Sequence, residues 1–425
     1  MNINNTFNCF LKYLNTFELF ISVAKWFDSA RNSKFGIRTG VSEQNFERFI
    51  TMSLFKIFIK NEVNLHTLEI KAAIIYYREL NEILELILQN QNFIHNIGNL
   101  KVNYIRGDND NTIINNHISQ IIHLHQNLKK ILIYGNFLSL CQLLLSKDYY
   151  WSNTLNTIIF YDVDFSVVIN LDKVFEQLNV LESIHIINCS LNNYFTQQII
   201  NLTKPFKLKS LILNEVTQIE SLQQLLLKSG DYLKNFGCST IYCTNHDISQ
   251  LLKYCNNINL LYFVEFESEI STYQKINLIK NIKQSLNYLI IKICPVEHCS
   301  TCSSIILKNL GQILPSKLDY ISLDFTIKES DFRVFLENSQ YIFINKLLIK
   351  LKSGSDDILH YIKEYIMKEK RVKYLAIKNI KNEELFDLKD EVTDFKLHNI
   401  IVRRYSDLVI DFDDNDDYIW NIDKL

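Results

Sequence analysis

The sequence predicts an α/β solenoid, with parallel β-strands on a concave face, helices on a convex face and a helical cap at the N-terminal end. The first observation is an apolar triplet of the form Leu-x-x-Leu-x-Leu that restarts about every 28 residues between 65 and 402. The second is a change of period, because the triplets alternate like half-buried strands whereas the segments between them show helical spacing. No such unit buries its apolar strand face alone, so neighbouring units must stack.

Thirteen triplets form the ladder, and we predict that each one marks a strand. In chain order they are Leu65/Leu68/Ile70, Ile97/Leu100/Val102, Leu128/Ile131/Ile133, Leu155/Ile158/Phe160, Leu181/Ile184/Ile186, Leu208/Leu211/Leu213, Leu233/Phe236/Cys238, Ile258/Leu261/Phe263, Leu286/Leu289/Ile291, Leu318/Ile321/Leu323, Ile344/Leu347/Ile349, Val372/Leu375/Ile377 and Leu397/Ile400/Val402. Their period is that of leucine-rich repeats. We therefore predict a leucine-rich-repeat solenoid, or horseshoe, of about 13 units over residues 63–404.

Helices are predicted between the strands, most clearly over residues 80–88, 332–336 and 358–366. Thr326 with Glu329 and Ser271 with Gln274 have the spacing of a capping box, in which each side chain satisfies a free backbone amide. Asp356 is a further candidate N-cap. These signals place helix starts just after strands.

The two ends of the chain do not follow the repeat. Residues 1–62 are predicted to be helical, from apolar residues at helical spacing between Phe46 and Phe58, and to cover the open end of the first repeat. Residues 405–425 include the acidic run DFDDNDD followed by Tyr418, Ile419 and Trp420. This stretch is predicted to be either a C-terminal cap or a partly ordered acidic tail.

The composition limits which classes of partner and which cellular compartment we expect for this protein. The 425 residues carry a formal net charge of −2, which offers no basic excess for nucleic acid or an anionic membrane. Nine scattered cysteines suit a reducing compartment, and the sequence shows neither a signal peptide nor a long apolar run. We therefore expect a cytoplasmic or nuclear protein that binds neither nucleic acid nor a membrane.

Two triplets carry Cys at the ninth position of the repeat, in Leu181–Cys189 and Leu286–Cys294, and these resemble the repeats of F-box proteins. The passage from Phe46 to Ile70 resembles the junction between helix and first strand in a group of fungal F-box-like proteins. In that family an F-box opened by Leu-Pro docks on the Skp-type adaptor of a cullin-RING ubiquitin ligase, and the repeats hold a target protein. The resemblance thus implies a ligase substrate receptor with an unidentified target.

The N-terminal sequence departs from that family's pattern. Its first proline is Pro205, and residues 10–27 resemble only the latter part of an F-box, so the F-box is expected to be absent, truncated or degenerate. The alternative is a repeat scaffold or decoy without a link to a ligase. Binding to the Skp-type adaptor distinguishes the two.

Four residues, Cys294, His298, Cys299 and Cys302, have a spacing seen in zinc knuckles and redox pairs. Cys294 already occupies the ninth repeat position, and a second ligand pair is not evident, so a reduced loop is the favoured interpretation. His117, His123 and His125 are interpreted as surface or core residues. Common catalytic motifs do not occur, so we predict a non-enzymatic protein without a cofactor.

The candidate binding residues are those that alternate with the buried ladder and so project from the concave face. They are Tyr134, Tyr161, His185, Tyr262, Tyr288, Tyr320 and Tyr374, with Lys292, Lys346, Lys350, Lys378 and Arg403 towards the C-terminal end. Tyrosine is a strong interface residue, although exposed strands also favour Tyr and Lys for their own stability and solubility. The basic end is alternatively hypothesised to hold the acidic residues 411–417, as an autoinhibitory contact or a cap.

Overall fold

The computed structural model describes residues 12–32, 40–61, 65–95, 97–104, 112–135, 153–167, 169–216, 219–241, 255–264, 266, 268–293, 299–412 and 416–424. Its strands lie in chain order in a fourteen-stranded parallel sheet with helices between them, so the predicted leucine-rich-repeat solenoid is confirmed. The chain divides into two compact units. One comprises the residues up to His185 with Cys189–Lys204, and the other comprises Ile186–Asn188 and the chain from Pro205.

The strands are short, as expected for a sheet built from one strand per repeat. They are β1 Tyr13–Asn15, β2 Thr67–Ala72, β3 Asn99–Tyr104, β4 Lys130–Tyr134, β5 Thr157–Tyr161, β6 Ser183–Ile187, β7 Leu208–Val216, β8 Asn235–Ile241, β9 Leu260–Val264, β10 Tyr288–Lys292, β11 Lys317–Phe325, β12 Phe343–Leu351, β13 Val372–Lys378 and β14 Ile401–Val402.

Helices fill most of the connections. They are α1 Thr16–Asn32, α2 Gly40–Lys60, α3 Tyr77–Gln89, α4 Gln91–His95, α5 Thr112–Leu124, α6 Leu171–Gln177, α7 Asn193–Ile200, α8 Ile219–Ser229, α9 Glu269–Ile282, α10 Cys299–Ile313, α11 Glu329–Asn338, α12 Leu359–Tyr361, α13 Lys389–Leu397, α14 Tyr405–Leu408 and α15 Asp416–Trp420. A π-helical turn, Ile362–Met367, continues α12, and 3-10 turns occur at Ile74–Tyr76, Phe165–Val167, Leu385–Asp387 and Ile422–Lys424.

The apolar ladder sets the register of the sheet. In the first unit Leu68 pairs with Leu100, Leu100 with Ile131 and Ile131 with Ile158. In the second unit the same position runs through Leu211, Phe236, Leu261, Leu289, Ile321, Leu347 and Leu375. These side chains are buried. The ladder therefore forms the core between sheet and helices, and burying apolar area at roughly 25 cal/mol per Å² is what holds the repeats together.

The cysteine of the repeat at Leu181–Cys189 has the structural role expected of the ninth position. Its Sγ accepts a hydrogen bond from the backbone N–H of Val163 at 3.4 Å, one repeat earlier. A buried cysteine thereby satisfies a backbone group of the neighbouring turn.

The N-terminal residues contain a strand that the periodicity did not predict. Tyr13–Asn15 pairs with β2, and Leu14 aligns with Leu68, 54 residues later in the chain. The Asn15 side chain then accepts bonds from the N–H groups of Phe17 and Glu18 and so caps α1. The triplet Leu11/Leu14/Thr16 carries a weak signal for β1, because Thr16 replaces the expected large apolar residue.

The last triplet was placed in the wrong register. Val402, rather than Ile400, aligns with Leu375, and β14 has only two residues. Leu397, predicted to lie in the core, ends helix α13 and is 77% exposed, whereas Phe395 is fully buried. The helix continues into the first residue of the predicted triplet, and its buried face is set by Phe395.

All three predicted helix caps were misplaced. The residue that precedes α12 is Ile358 and not Asp356. Helix α9 begins at Glu269 because Ser268 Oγ accepts the N–H of Ser271, so Ser271 lies inside the helix rather than capping it. Thr326 Oγ1 donates to the backbone carbonyl of Ser353 and does not cap α11. The first turn of α11 is served instead by Asp356 of the next repeat, whose carboxylate accepts the N–H of Glu329 at 3.0 Å.

Candidate functional site

In every strand the side chains that alternate with the core ladder form the opposite side of the sheet, which we call the open face. In the second unit strand pairing arranges them in three rows. The first row contains Leu260, Tyr288, Tyr320, Lys346 and Tyr374; the middle row contains Tyr262, Ile290, Ser322, Leu348 and Ala376; the last row contains Val264, Lys292, Asp324, Lys350 and Lys378. The predicted tyrosines thus do not form one stripe, because Tyr262 lies in the middle row.

Residues 405–412, which we call the return segment, lie against this open face. The backbone N–H of Ile410 donates to the Tyr320 hydroxyl oxygen at 3.1 Å. The Phe412 ring packs edge-to-face on Tyr262, with ring centroids 5.2 Å apart. The Asn188 side-chain amide donates to the carbonyl of Phe412 at 3.0 Å. The chain itself therefore occupies part of the surface predicted to bind a partner.

Burial beneath the return segment changes the chemistry of two tyrosines. Tyr320 is 1% exposed, and its pKa is raised, first by loss of solvent and then by its tyrosine neighbours. Burial likewise raises the pKa of Tyr405 to about 12, and the Tyr405 hydroxyl lies 3.5 Å from that of Ser322. Both phenols stay neutral over the physiological pH range, so they act here as hydrogen-bonding groups.

The last row carries most of the charge. Lys292 Nζ lies 3.0 Å from an Asp411 carboxylate oxygen and 5.5 Å from the centre of the Tyr262 ring. Asp324 is buried and lies within ion-pair distance of Lys350 at 3.5 Å and Lys352 at 3.0 Å. Two of the predicted basic residues, Lys292 and Lys350, are therefore already paired with carboxylates.

The remaining predicted residues of the second unit are more accessible. Tyr288 stacks on Tyr320 with ring centroids 6.1 Å apart and is half-buried, as is Tyr374. Lys346 and Lys378 are half-buried and Arg403 is exposed, and none of these three forms an ion pair with a residue that the structure describes. A role for these residues in binding a partner stays a prediction.

In the first unit the predicted residues are mostly buried. Tyr134 and Tyr161 pair across neighbouring strands with ring centroids 5.0 Å apart, and Tyr161 is buried whereas Tyr134 is half-buried. His185 is fully buried. Alternation along the strands predicted which side of the sheet these side chains occupy. It did not predict how far other residues bury them.

An ion pair at the N-terminal end of the open face was not predicted. Lys101 Nζ lies 3.3 Å from a Glu69 carboxylate oxygen, both side chains are almost fully buried, and the Tyr13 hydroxyl also donates to Glu69. Strand register brings Glu69 and Lys101 side by side. The signal was present in the sequence, because opposite charges stand at equivalent positions of adjacent triplets.

The return segment was predicted only at its acidic end, where the hypothesised contact between the basic end and residues 411–417 occurs as the ion pair of Lys292 with Asp411. Its contacts use Asn188, whose φ is 54°, and Ser322, neither of which belongs to a recognisable motif. Ser322 and Asp324 lie on the same side of β11 as Tyr320, so the alternation that selected Tyr320 also selects them. Residues 405–410 belong to no motif, whereas Asp411 and Phe412 begin the acidic run.

The zinc candidates are not assembled by the part of the chain that the structure describes. Cys294 and His298 lie outside the described residues, as does the side chain of Cys299, which begins helix α10. The Cys302 thiol is buried and donates to the backbone carbonyl of Phe266 at 3.6 Å. Within the described ranges, no three His, Cys, Asp or Glu side chains come close enough to hold a metal ion.

A cavity of about 370 Å³ lies beside strands β12 and β13 in the second unit. Its apolar lining includes Leu351, Ile377 and Leu385. Two carboxylates at its rim are already engaged, since Asp356 bonds the N–H of Glu329 and Glu384 that of Tyr405. This cavity therefore provides an apolar space, but few of its polar groups remain available to bind a ligand.

Comparisons with known proteins do not show a family for this chain. No protein-family model matches the chain, and no curated protein matches it in sequence. Among solved structures it is similar to LegL7, a leucine-rich-repeat-containing protein from Legionella pneumophila, with 10% identity and a TM-score of 0.34 over 83% of this chain and 95% of that one. None of the helices within the described ranges is long and apolar enough to span a membrane.

Proposed function

We propose that this protein is a non-enzymatic protein-binding module that holds a target protein on the open face of its sheet. One observation carries the proposal, namely that the open face of the second unit already holds a stretch of polypeptide without regular secondary structure, Val409–Phe412, through side chains of four different strands or turns. A surface that binds a non-helical segment of chain by a hydrogen bond, an ion pair and an aromatic contact has the chemistry of a peptide-recognition site.

The absence of catalysis is part of the proposal. Among the described residues, the groups with large pKa shifts are Tyr320, Tyr405, Cys255 and His125, and in each the largest cause is burial. A catalytic group must reach its substrate. These buried groups are better explained as parts of the core and of the covered face.

We propose further that the target is held for a ubiquitin ligase, with a Skp-type adaptor as second partner, in the cytoplasm or nucleus. Support for this comes from the resemblance of residues 46–70 and of the cysteine-containing repeats to F-box-like proteins. The alternative is a scaffold or decoy without that adaptor. It is favoured by β1, because Tyr13–Asn15 belongs to the stretch compared with an F-box and is built into the sheet.

Co-purification distinguishes these two versions. If the full chain binds the Skp-type adaptor with a dissociation constant in the micromolar range or below, the ligase version is supported. Failure to bind, with a genuine F-box protein as positive control, supports the scaffold or decoy.

Site-specific photo-crosslinking tests the protein-binding function itself. A benzophenone amino acid is placed at Tyr374 on the open face and, as a matched control, at Leu397, an exposed residue at the end of helix α13. We expect discrete protein adducts from position 374 in cells and few from position 397. Equal adducts at both positions, or none at 374, would contradict binding through the open face.

A further inference from the structure

We propose that the return segment is an internal ligand, and that the partner of this protein presents a non-helical segment of the same chemistry, an aliphatic residue followed by Asp and an aromatic residue, which displaces it. The inference rests on the proposed function, because it names the partner's binding element and the regulation of that same face. It is carried by Ile410, Asp411 and Phe412, each of which meets a different group on the open face.

The aliphatic position is fixed through the backbone. Tyr320, in the first row, accepts the N–H of Ile410 at 3.1 Å, and the Ile410 side chain is buried. The Tyr320 hydroxyl is buried under the segment, so a replacement segment must supply a donor for it. Any residue other than proline supplies the same N–H, so this contact selects little for the identity of the residue.

The acidic position is fixed by charge. Lys292 lies 3.0 Å from Asp411, with both side chains only partly exposed, and it also lies over the Tyr262 ring. The next residue of the last row, Asp324, is held by Lys350 and Lys352. A segment with Lys or Arg in place of Asp411 would bring like charges together at Lys292, so the face discriminates in favour of an acid.

The aromatic position is fixed by shape. Phe412 is fully buried and meets the Tyr262 ring at 74°, the edge-to-face geometry that aromatic pairs favour. Its carbonyl accepts the Asn188 amide at 3.0 Å. The two contacts hold both the ring and the backbone of one residue, which makes this position the anchor of the segment.

The return segment can be exchanged without rearranging the sheet. Residues 409–412 have no regular secondary structure and add no strand to the fourteen of the sheet. They are held on a face rather than at an edge, so their removal breaks no ladder of backbone bonds. Because the segment is tethered, a partner competes against an effective concentration of the order of millimolar, and this sets a threshold for binding.

The test uses the full-length chain and a fluorescein-labelled peptide of residues 406–413, SDLVIDFD. The double substitution Asp411→Lys with Phe412→Ala should release the segment. We expect the peptide to bind the released chain at least about tenfold more tightly than wild type, since the tethered competitor is lost. A control peptide with Lys at the position of Asp411 should bind more weakly, and adding Lys292→Glu should reverse that preference.

Hydrogen exchange of residues 405–412 in the full chain reports whether the segment is released. Continued protection in the double variant would show that these contacts do not hold it, and equal peptide binding by wild type and variant would place the peptide elsewhere. Either result, or no peptide binding to the released chain, overturns the inference. If the double variant does not fold, Asn188→Gly, which removes the bond to Phe412 and tolerates the positive φ of 54° at this position, is measured in its place with the same expectations of direction.

The crosslinking experiment at Tyr374 keeps this inference separate from the proposed function. Adducts at position 374 without peptide binding would leave the protein-binding function standing and refute the internal ligand. Loss of both signals would refute both.

Discussion

At the residue scale, Gly237 keeps open the space in which Tyr262 lies. The two residues are paired across β8 and β9, and a Cβ at position 237 would lie 2.9 Å from the Tyr262 Cβ and 3.0 Å from its carbonyl oxygen. Part of the clash is with backbone, so the strand itself would have to move. Glycine is therefore required by the neighbouring ring rather than by its own backbone angles.

We predict that Gly237→Ala lowers the free energy of unfolding by about 1–3 kcal/mol through overpacking. It should also weaken the contact of Tyr262 with Phe412. Chemical denaturation measures the first effect and hydrogen exchange of residues 405–412 the second. Gly98→Ala is the matched control, because its nearest heavy atom would be 4.0 Å away, and an equal loss in both variants would contradict this account.

His125 is the second residue with a clear consequence. It is fully buried, neither ring nitrogen has a hydrogen-bond partner among the residues that the structure describes, and burial together with the nearby His95 lowers its pKa from 6.5 to about 3. The native protein therefore holds His125 neutral, whereas the unfolded chain takes up a proton below about pH 6.5. This group makes the native state less stable as the pH falls from 6.5 towards 3.

We predict that His125→Leu removes this pH dependence. Relative to the variant, the wild type should lose about 1.4 kcal/mol of unfolding free energy for each pH unit below 6.5, or about 2 kcal/mol by pH 5. Urea denaturation at pH 7 and pH 5 provides the comparison. His123→Leu, at an exposed neighbour, should leave the wild-type slope unchanged, and the same slope in His125→Leu would show that His125 is not its source.

At the element scale, the ladder predicted the strands well because each needs only a few apolar residues at alternating positions. The ladder did not predict correctly the strands that have fewer apolar residues at these positions. Strand β1 has a single buried ladder residue, Leu14, and its helical connection to β2 is twice as long as usual. Strand β14 has two residues, so periodicity could not fix its register, and helix α13 extended through the predicted start of the triplet.

The corrected end of helix α13 gives a direct test. Phe395→Ala should cost about 3–5 kcal/mol of unfolding free energy, because a fully buried ring is removed from the core. Leu397→Ala should change it by no more than about 0.5 kcal/mol, as for most exposed positions. Thermal or chemical denaturation of both variants decides the matter, and a larger loss at Leu397 would restore the register predicted from the triplet.

Only part of the candidate site could be predicted from the sequence, for a similar reason. Alternation along a strand is local, and it correctly placed Tyr262, Tyr288, Tyr320 and Lys292 on one side of the sheet. The return segment is separated from Tyr320 by 90 residues along the chain and shares no periodicity with it. Contacts of that kind depend on the complete fold, so no local pattern could show that these tyrosines are covered.

At the scale of the whole molecule, the return segment belongs with the second unit, where all of its contacts described above lie. Tyr405, Ile410, Phe412, Ile419 and Ile422 are all buried. We predict that truncation after Arg404 lowers the stability of that unit by several kcal/mol, since each buried apolar side chain contributes about 1.5–3 kcal/mol.

Hydrogen exchange resolves where the truncation acts. Protection should fall in strands β9–β13 and remain in β2–β5, which the return segment does not touch among the contacts described. A uniform loss over both sets of strands would mean that the segment supports the fold as a whole.

The aligned residues Leu14 and Leu68 are 54 residues apart, whereas Leu347 and Leu375 are 28 residues apart. This difference in spacing has an evolutionary consequence. Sheet register uses only the strands, and lengthening a connection costs little because loop-closure entropy grows slowly with length. Insertions and deletions can therefore accumulate between strands. Each position on the sheet keeps the same neighbouring positions even when its side chain is substituted. Descendants of one such chain would come to share a sheet that no alignment of their sequences could recover.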